Sequence, residues 1–112
     1  MSIFVNYPPR EEFVNRTYEI DLSLYEKLEF LSTKKYDASI NKLVNTSLEY
    51  LLETKKIDLY KRPKDEITVF RSFLIRQSLY QGINNFKEEY NISLNKLLNI
   101  AIYNALFEEN II

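Results

Sequence analysis

The chain says nearly the same thing twice. "RTYEIDLSLY" from Arg16 and "RSFLIRQSLY" from Arg71 share Arg, Ile, Ser, Leu and Tyr at matched places, and exchange Thr for Ser and Tyr for Phe. The offset of 55, Arg16 to Arg71, also carries Val14 onto Val69 and Ile20 onto Ile75. Downstream, "YDASINKLVNTSL" from Tyr36 lies on "YNISLNKLLNIAI" from Tyr90 at an offset of 54, so the second copy is one residue shorter before this point. Self-similarity at a fixed spacing marks a duplicated supersecondary unit. At 112 residues the two units make one structural domain between them, because neither is long enough to bury a core alone.

Each unit has the same internal order. It opens on an alternating run, with Val14, Arg16, Tyr18 and Ile20 set against Asn15, Thr17 and Glu19, which is the period of a strand with one buried face. A short helix follows, striped by Leu24, Leu28 and Leu31 in the first copy and by Leu79, Ile83 and Phe86 in the second. Asp21 is the expected N-cap of the first short helix; its counterpart Arg76 caps poorly, so the second is expected to start at Ser78. A longer helix closes each unit: Ile40, Leu43, Val44, Ser47, Leu48, Leu51 and Leu52, matched by Leu94, Leu97, Leu98, Ala101, Ile102, Ala105 and Leu106, with Ser39 and Ser93 as N-caps. The small residues Ser47 and Ala101 are expected where the long helices cross. Asn99, off the apolar stripe, is expected at the surface.

One strand with two helices leaves a strand edge unpaired and an apolar stripe uncovered. Two copies cure both faults if their strands pair antiparallel and their long helices pack beneath. The expected layout is an N-terminal arm over 1–13, a first unit over 14–54, a linker over 55–66 broken by Pro63, and a second unit over 67–112. The fold class is mainly α with a two-stranded antiparallel β-ribbon. One glycine and three prolines agree with helices on short connections rather than an all-β sandwich.

Strand, helix, helix, with "SINKLVN" and "SLNKLLN" opening the long helices and "TYEIDLSLYEKL" before the first, resembles the ribbon-helix-helix family of the Arc and MetJ type, over about Val14 to Phe107. Most members are homodimers, and this chain resembles a fused, single-chain version: two ribbon-helix-helix units forming an intramolecular pseudo-dimer. The resemblance implies a sequence-specific protein of double-stranded DNA, foremost a transcriptional repressor. The ribbon would lie in the major groove, and the starts of the long helices would hold phosphates.

The phosphate role has support from the residues themselves. Free N–H groups and the helix dipole at Ser39–Asn41 and Ser93–Asn95 favour an anion, and Lys42 and Lys96 add charge, with Lys34 and Lys35 beside the first set. The plain alternative is a capping Ser and a solvated Lys. On the ribbon the outward positions are Asn15, Thr17 and Glu19 in one strand and Phe70, Ser72 and Leu74 in the other. Asn and Thr bond base edges, Glu accepts from cytosine N4, and Leu or Phe touches a thymine methyl. Phe70 and Leu74 suit a protein partner equally well, so a protein-interaction module on the same scaffold is the alternative from another class. A conjugation or partition accessory protein, or an antitoxin, is the alternative within DNA binding. Arg16 and Arg71 fall on the nominally buried face, with a phosphate at the ribbon edge or a carboxylate as their open destinations.

Other chemistry is poorly provided for. The chain has no cysteine and no histidine, which removes thiolate sites and the usual general base. Glu11-Glu12, Glu88-Glu89 and Glu108-Glu109 are sequence neighbours that diverge on a helix, and Gly82 is the sole glycine, so no phosphate loop exists. The nine tyrosines read as core and rim packing. Lys55, Lys56, Lys61, Arg62 and Lys64 read as a solvated linker. No catalysis, cofactor or metal is expected. No apolar run approaches a membrane span and no export signal is evident, so a cytoplasmic protein is expected. A net charge of −1 confines any DNA contact to local patches. Expected partners are double-stranded DNA, further pseudo-dimers associating on it, and a protein partner, with no membrane.

Overall fold

A computed structural model describes residues 12–35, 39–58 and 60–112. Tyr36, Glu11 and nearly all of the expected N-terminal arm lie outside the described residues. Two strands, β1 (Phe13–Asp21) and β2 (Thr68–Arg76), pair antiparallel with Thr17 opposite Ser72 at the centre. Backbone bonds from Gln77 N to Glu12 O, 2.9 Å, and from Leu22 N to Ile67 O, 2.8 Å, carry the pairing one step past each end. The helices are α1 (Leu22–Phe30), running into a π turn over Leu31–Lys35, then α2 (Ile40–Thr54), α3 (Gln77–Tyr90) and α4 (Leu94–Glu108). The molecule is mostly α, with four helices beside a two-stranded antiparallel sheet.

The alternation read from sequence sorts the strand faces as expected except at Arg16 and Arg71, which are exposed. Tyr18, Ile20, Phe73 and Ile75 are buried, whereas Asn15, Thr17, Phe70, Ser72 and Leu74 are exposed. Beneath the inner face lie Leu24, Leu28, Leu31, Leu79, Ile83 and Phe86 from the shorter helices, with Val44, Leu48, Leu51, Leu97, Leu98, Ile102 and Leu106 from the longer ones. The most extensive helix pairing is α2 with α4. In addition α2 packs on β2 and α3, while α4 packs on β1 and α1. Gly82 brings α3 close to α2, since a Cβ there would stand 2.7 Å from a Leu52 methyl.

Ser47 and Ala101 are both buried on the α2 and α4 faces. Ala101→Leu puts a larger side chain into a fully buried position and is expected to cost about 1–3 kcal/mol by overpacking. Urea unfolding measures it, and an unchanged midpoint would remove Ala101 from a tight helix contact.

Three expectations need correcting. Asp21 occupies the N-cap position of α1 but makes no side-chain cap bond. Its carboxylate, 2 % exposed, instead accepts from the Tyr60 hydroxyl and from Arg62 Nε at 2.9 Å. The second short helix starts at Gln77 with Arg76 as N-cap, not at Ser78, and Arg76 is ion-paired to Glu49. The connection after α2 is not simply solvated. The Tyr60 ring lies 4.8 Å from that of Tyr103, and the Asn104 amide donates to Lys56 O at 2.8 Å. Ser23 donates from both N and Oγ to Glu66, which holds that carboxyl below the usual range. Burial and the Asp21 bond push the Tyr60 hydroxyl above its ordinary range. Lys55, Lys56, Lys61 and Lys64 remain exposed. Among the described residues no helix is long and apolar enough to cross a membrane.

Candidate nucleic-acid interface

A two-stranded ribbon has two outer edges, and each carries backbone groups that no strand satisfies. Asparagines at the starts of the long helices cover them here. Asn41 Oδ1 accepts from Leu74 N at 3.0 Å, and Asn95 Oδ1 accepts from Glu19 N at 3.1 Å. One turn further along, Asn45 accepts from Arg76 N at 2.9 Å and donates to Leu74 O at 2.8 Å, while Asn99 accepts from Asp21 N at 2.8 Å and donates to Glu19 O at 3.1 Å. Asn45 and Asn99 also bond back to Asn41 O and Asn95 O, at 2.7 Å each. The expectation of Asn99 at the surface is therefore overturned: it is 8 % exposed and closes the edge of β1. Two copies of Asn-x-x-x-Asn, on one helix face by their spacing, are the signal that sequence reasoning passed over.

The clasps fix where the helix starts sit relative to the ribbon. Ser39 accepts from Lys42 N at 3.1 Å and Ser93 from Lys96 N at 3.2 Å, as N-caps do. This leaves the first-turn N–H groups of Ile40, Asn41, Leu94 and Asn95 with no intrahelical acceptor. Lys42 and Lys96 are exposed, and no ion pair of either is present among the described residues. Ser39 and Ser93 thus act as caps and Lys42 and Lys96 are solvated beside them, which is what the plain alternative expects. The Oδ1 atoms of Asn41 and Asn95 are occupied by the ribbon, which leaves their Nδ2 groups and first-turn backbone N–H groups as donors.

The six outward ribbon residues share one face in three cross-strand rows, Asn15 with Leu74, Thr17 with Ser72 and Glu19 with Phe70. The central hydroxyls bond each other at 2.7 Å, and each keeps capacity for another partner. Glu19 is half-buried and accepts from Thr68 Oγ1 at 2.7 Å. Phe70 is 66 % exposed and Leu74 42 %. The β1 side of this face is polar and the β2 side largely apolar.

Neither Arg16 nor Arg71 pairs with a carboxylate among the described residues. The Arg16 guanidinium lies 5.7 Å from the centre of the Tyr80 ring, and Arg71 lies 4.9 Å from that of Tyr25, a cation–π arrangement at matched positions. Arg16 Nε donates to the Tyr80 hydroxyl at 3.4 Å, which draws that hydroxyl below its usual range and raises the guanidinium. Burial pushes the Tyr18 hydroxyl up to about 12. Among the described residues no group of acidic side chains is arranged to hold a metal ion. Comparisons with protein-family models, with curated proteins and with solved structures give no match to this chain.

Proposed function

We propose that this chain is a single-chain ribbon-helix-helix protein that binds double-stranded DNA sequence-specifically, as a transcriptional repressor in the cytoplasm, without catalysis. The observation that carries the reading is the outward ribbon face with Thr17 and Ser72 at its centre, flanked by two helix starts clasped to its edges by Asn41 and Asn95. A two-stranded ribbon is of a size to enter the major groove, roughly 12 Å wide. The helix starts would then meet phosphates on either side, with Lys42 and Lys96 neutralising them.

An intramolecular pseudo-dimer is part of the same proposal. Its support is the exchange of contacts between halves: α2 clasps β2 and α4 clasps β1, and each arginine stacks on the tyrosine of the other half. Neither half could then complete its ribbon edge alone.

A gel-shift titration against the DNA upstream of its own gene, at several salt concentrations, tests the reading. Lys42→Ala or Lys96→Ala is expected to weaken binding to all sequences alike and to shallow the slope of log K against log[salt] by about 1. The exposed Phe70 favours one rival, a protein-docking ribbon face. Under that rival, Phe70→Ala and Leu74→Ala abolish capture of a protein partner, while DNA binding stays weak, salt-sensitive and indifferent to sequence.

A further inference from the structure

We propose that the concavity between β1, α3 and the start of α4 is a phosphate-binding site, with Arg16 and Lys87 as its cations and the Tyr18 hydroxyl as a buried donor. The cavity measures about 260 Å³ and is lined by Arg16, Tyr18, Tyr80, Lys87, Ser93 and Asn95, among others, with no carboxylate in its wall among the described residues. Neither Arg16 nor Lys87 enters an ion pair among the described residues. Arg16 gives Nε to Tyr80, which orients the guanidinium and leaves its terminal N–H groups to an incoming acceptor. The first turn of α4 adds two backbone N–H groups and the positive end of a dipole.

Tyr18 supplies the second, independent sign of a ligand. It is 3 % exposed, and among the described residues its hydroxyl has no hydrogen-bond partner, although a buried phenol ordinarily finds one. The matched position in β2 is Phe73, which packs equally well without the oxygen. Packing therefore does not require a hydroxyl at this place. An anion held by Arg16 would be its acceptor. Two cations, a phenol and a helix start suit a phosphate, with its several oxygens and up to two charges, better than a single carboxylate.

The other half serves as an internal comparison. Arg71 stacks on Tyr25 in the same manner, but Phe73 replaces Tyr18 and Ser32 stands at the position matched to Lys87. The two matched positions therefore carry neither a phenol nor a lysine.

The phosphate could come from a DNA backbone or from a free phosphorylated small molecule; only the first source rests on the DNA-binding reading. The test titrates the full chain with inorganic phosphate at constant ionic strength, followed by backbone amide NMR at Tyr18 and Asn95. A saturable shift is expected. Tyr18→Phe should weaken it about tenfold or more, since a bond to a charged group is lost, with the melting temperature unchanged. Arg16→Gln should remove the shift and Arg71→Gln should leave it. A second arm measures duplex DNA affinity of the same variants. A parallel loss in Tyr18→Phe and Arg16→Gln assigns the site to the DNA backbone, and unaltered duplex affinity assigns it to a free phosphorylated ligand. If wild type binds phosphate but no duplex, the DNA reading falls and the site stands. Absence of a saturable shift, or equal effects of Arg16→Gln and Arg71→Gln, overturns the proposal.

Discussion

Asn99→Lys is expected to lower stability by about 3 kcal/mol or more, and to unfold the chain at temperatures the wild type tolerates. The amide of Asn99 accepts from Asp21 N and donates to Glu19 O in a place 8 % exposed. Lysine has no acceptor, so the Asp21 N–H loses its partner at about 1–3 kcal/mol. The ammonium must also reach water or lie unpaired in the interior, which adds a further cost of similar size. Asn99→Ala removes the same two strand bonds without introducing a charge, and is expected to cost less than Asn99→Lys. Asn45→Ala should behave like Asn99→Ala, since Asn45 serves the β2 edge in the same way. Asn85→Lys, on the exposed side of α3, is the control and should fall within about 0.5 kcal/mol of wild type. Urea unfolding of the four variants decides the matter. If Asn99→Lys matches Asn85→Lys, the clasp contributes nothing and the edge of β1 is satisfied by solvent.

The contrast between these asparagines explains what could be read in the chain beforehand. Periodicity reports which side chains are apolar and at what spacing, so it located both strand faces, all four helices and the buried stripes from Leu24 to Leu106. It is silent about a polar residue buried to satisfy a distant backbone. Asn45 and Asn99 sit beside the apolar stripe, and their partners lie 31 and 78 residues away, at Arg76 and Asp21. Only the pairing of the strands creates the need they meet. The same non-locality hid the role of Asp21, which the local rule assigns to capping but which the returning connection claims through Tyr60 and Arg62. Arg16 and Arg71 show a third case. Alternation placed them on the inner face, but at the ribbon centre they stay exposed and lie over tyrosine rings. In the candidate interface, the serine caps were legible as local signals. The employment of Asn41 and Asn95 as ribbon clasps was not.

Affinity and sequence preference are expected to reside in different residues of the proposed interface. Lys42 and Lys96 would act on phosphates, which carry no sequence information, whereas Thr17 and Ser72 face outward at the ribbon centre. Thr17→Ala or Ser72→Ala should change discrimination between sites by about 1–3 kcal/mol per lost base contact, roughly tenfold or more, with the salt slope little altered. Each loses a hydroxyl and also frees its neighbour from the 2.7 Å bond between them, so the double variant should cost less than the sum of the two. The apolar residues make a separate, chemically sharper forecast. Phe70 and Leu74 lie on β2, two positions either side of Ser72, while the β1 positions opposite them are Glu19 and Asn15. One side of the ribbon would thus read bases by hydrogen bonds and the other by contact with thymine methyls, so the preferred site should have unlike halves rather than a perfect palindrome. Replacing thymine by deoxyuridine removes only that methyl. In a bound site it should weaken the wild type about fourfold per contacted methyl, and weaken Leu74→Ala and Phe70→Ala much less. Were Thr17 and Ser72 variants to keep the wild-type preference, and uracil to be tolerated everywhere while Phe70 and Leu74 variants lose a protein partner, the ribbon face would be a protein-docking surface.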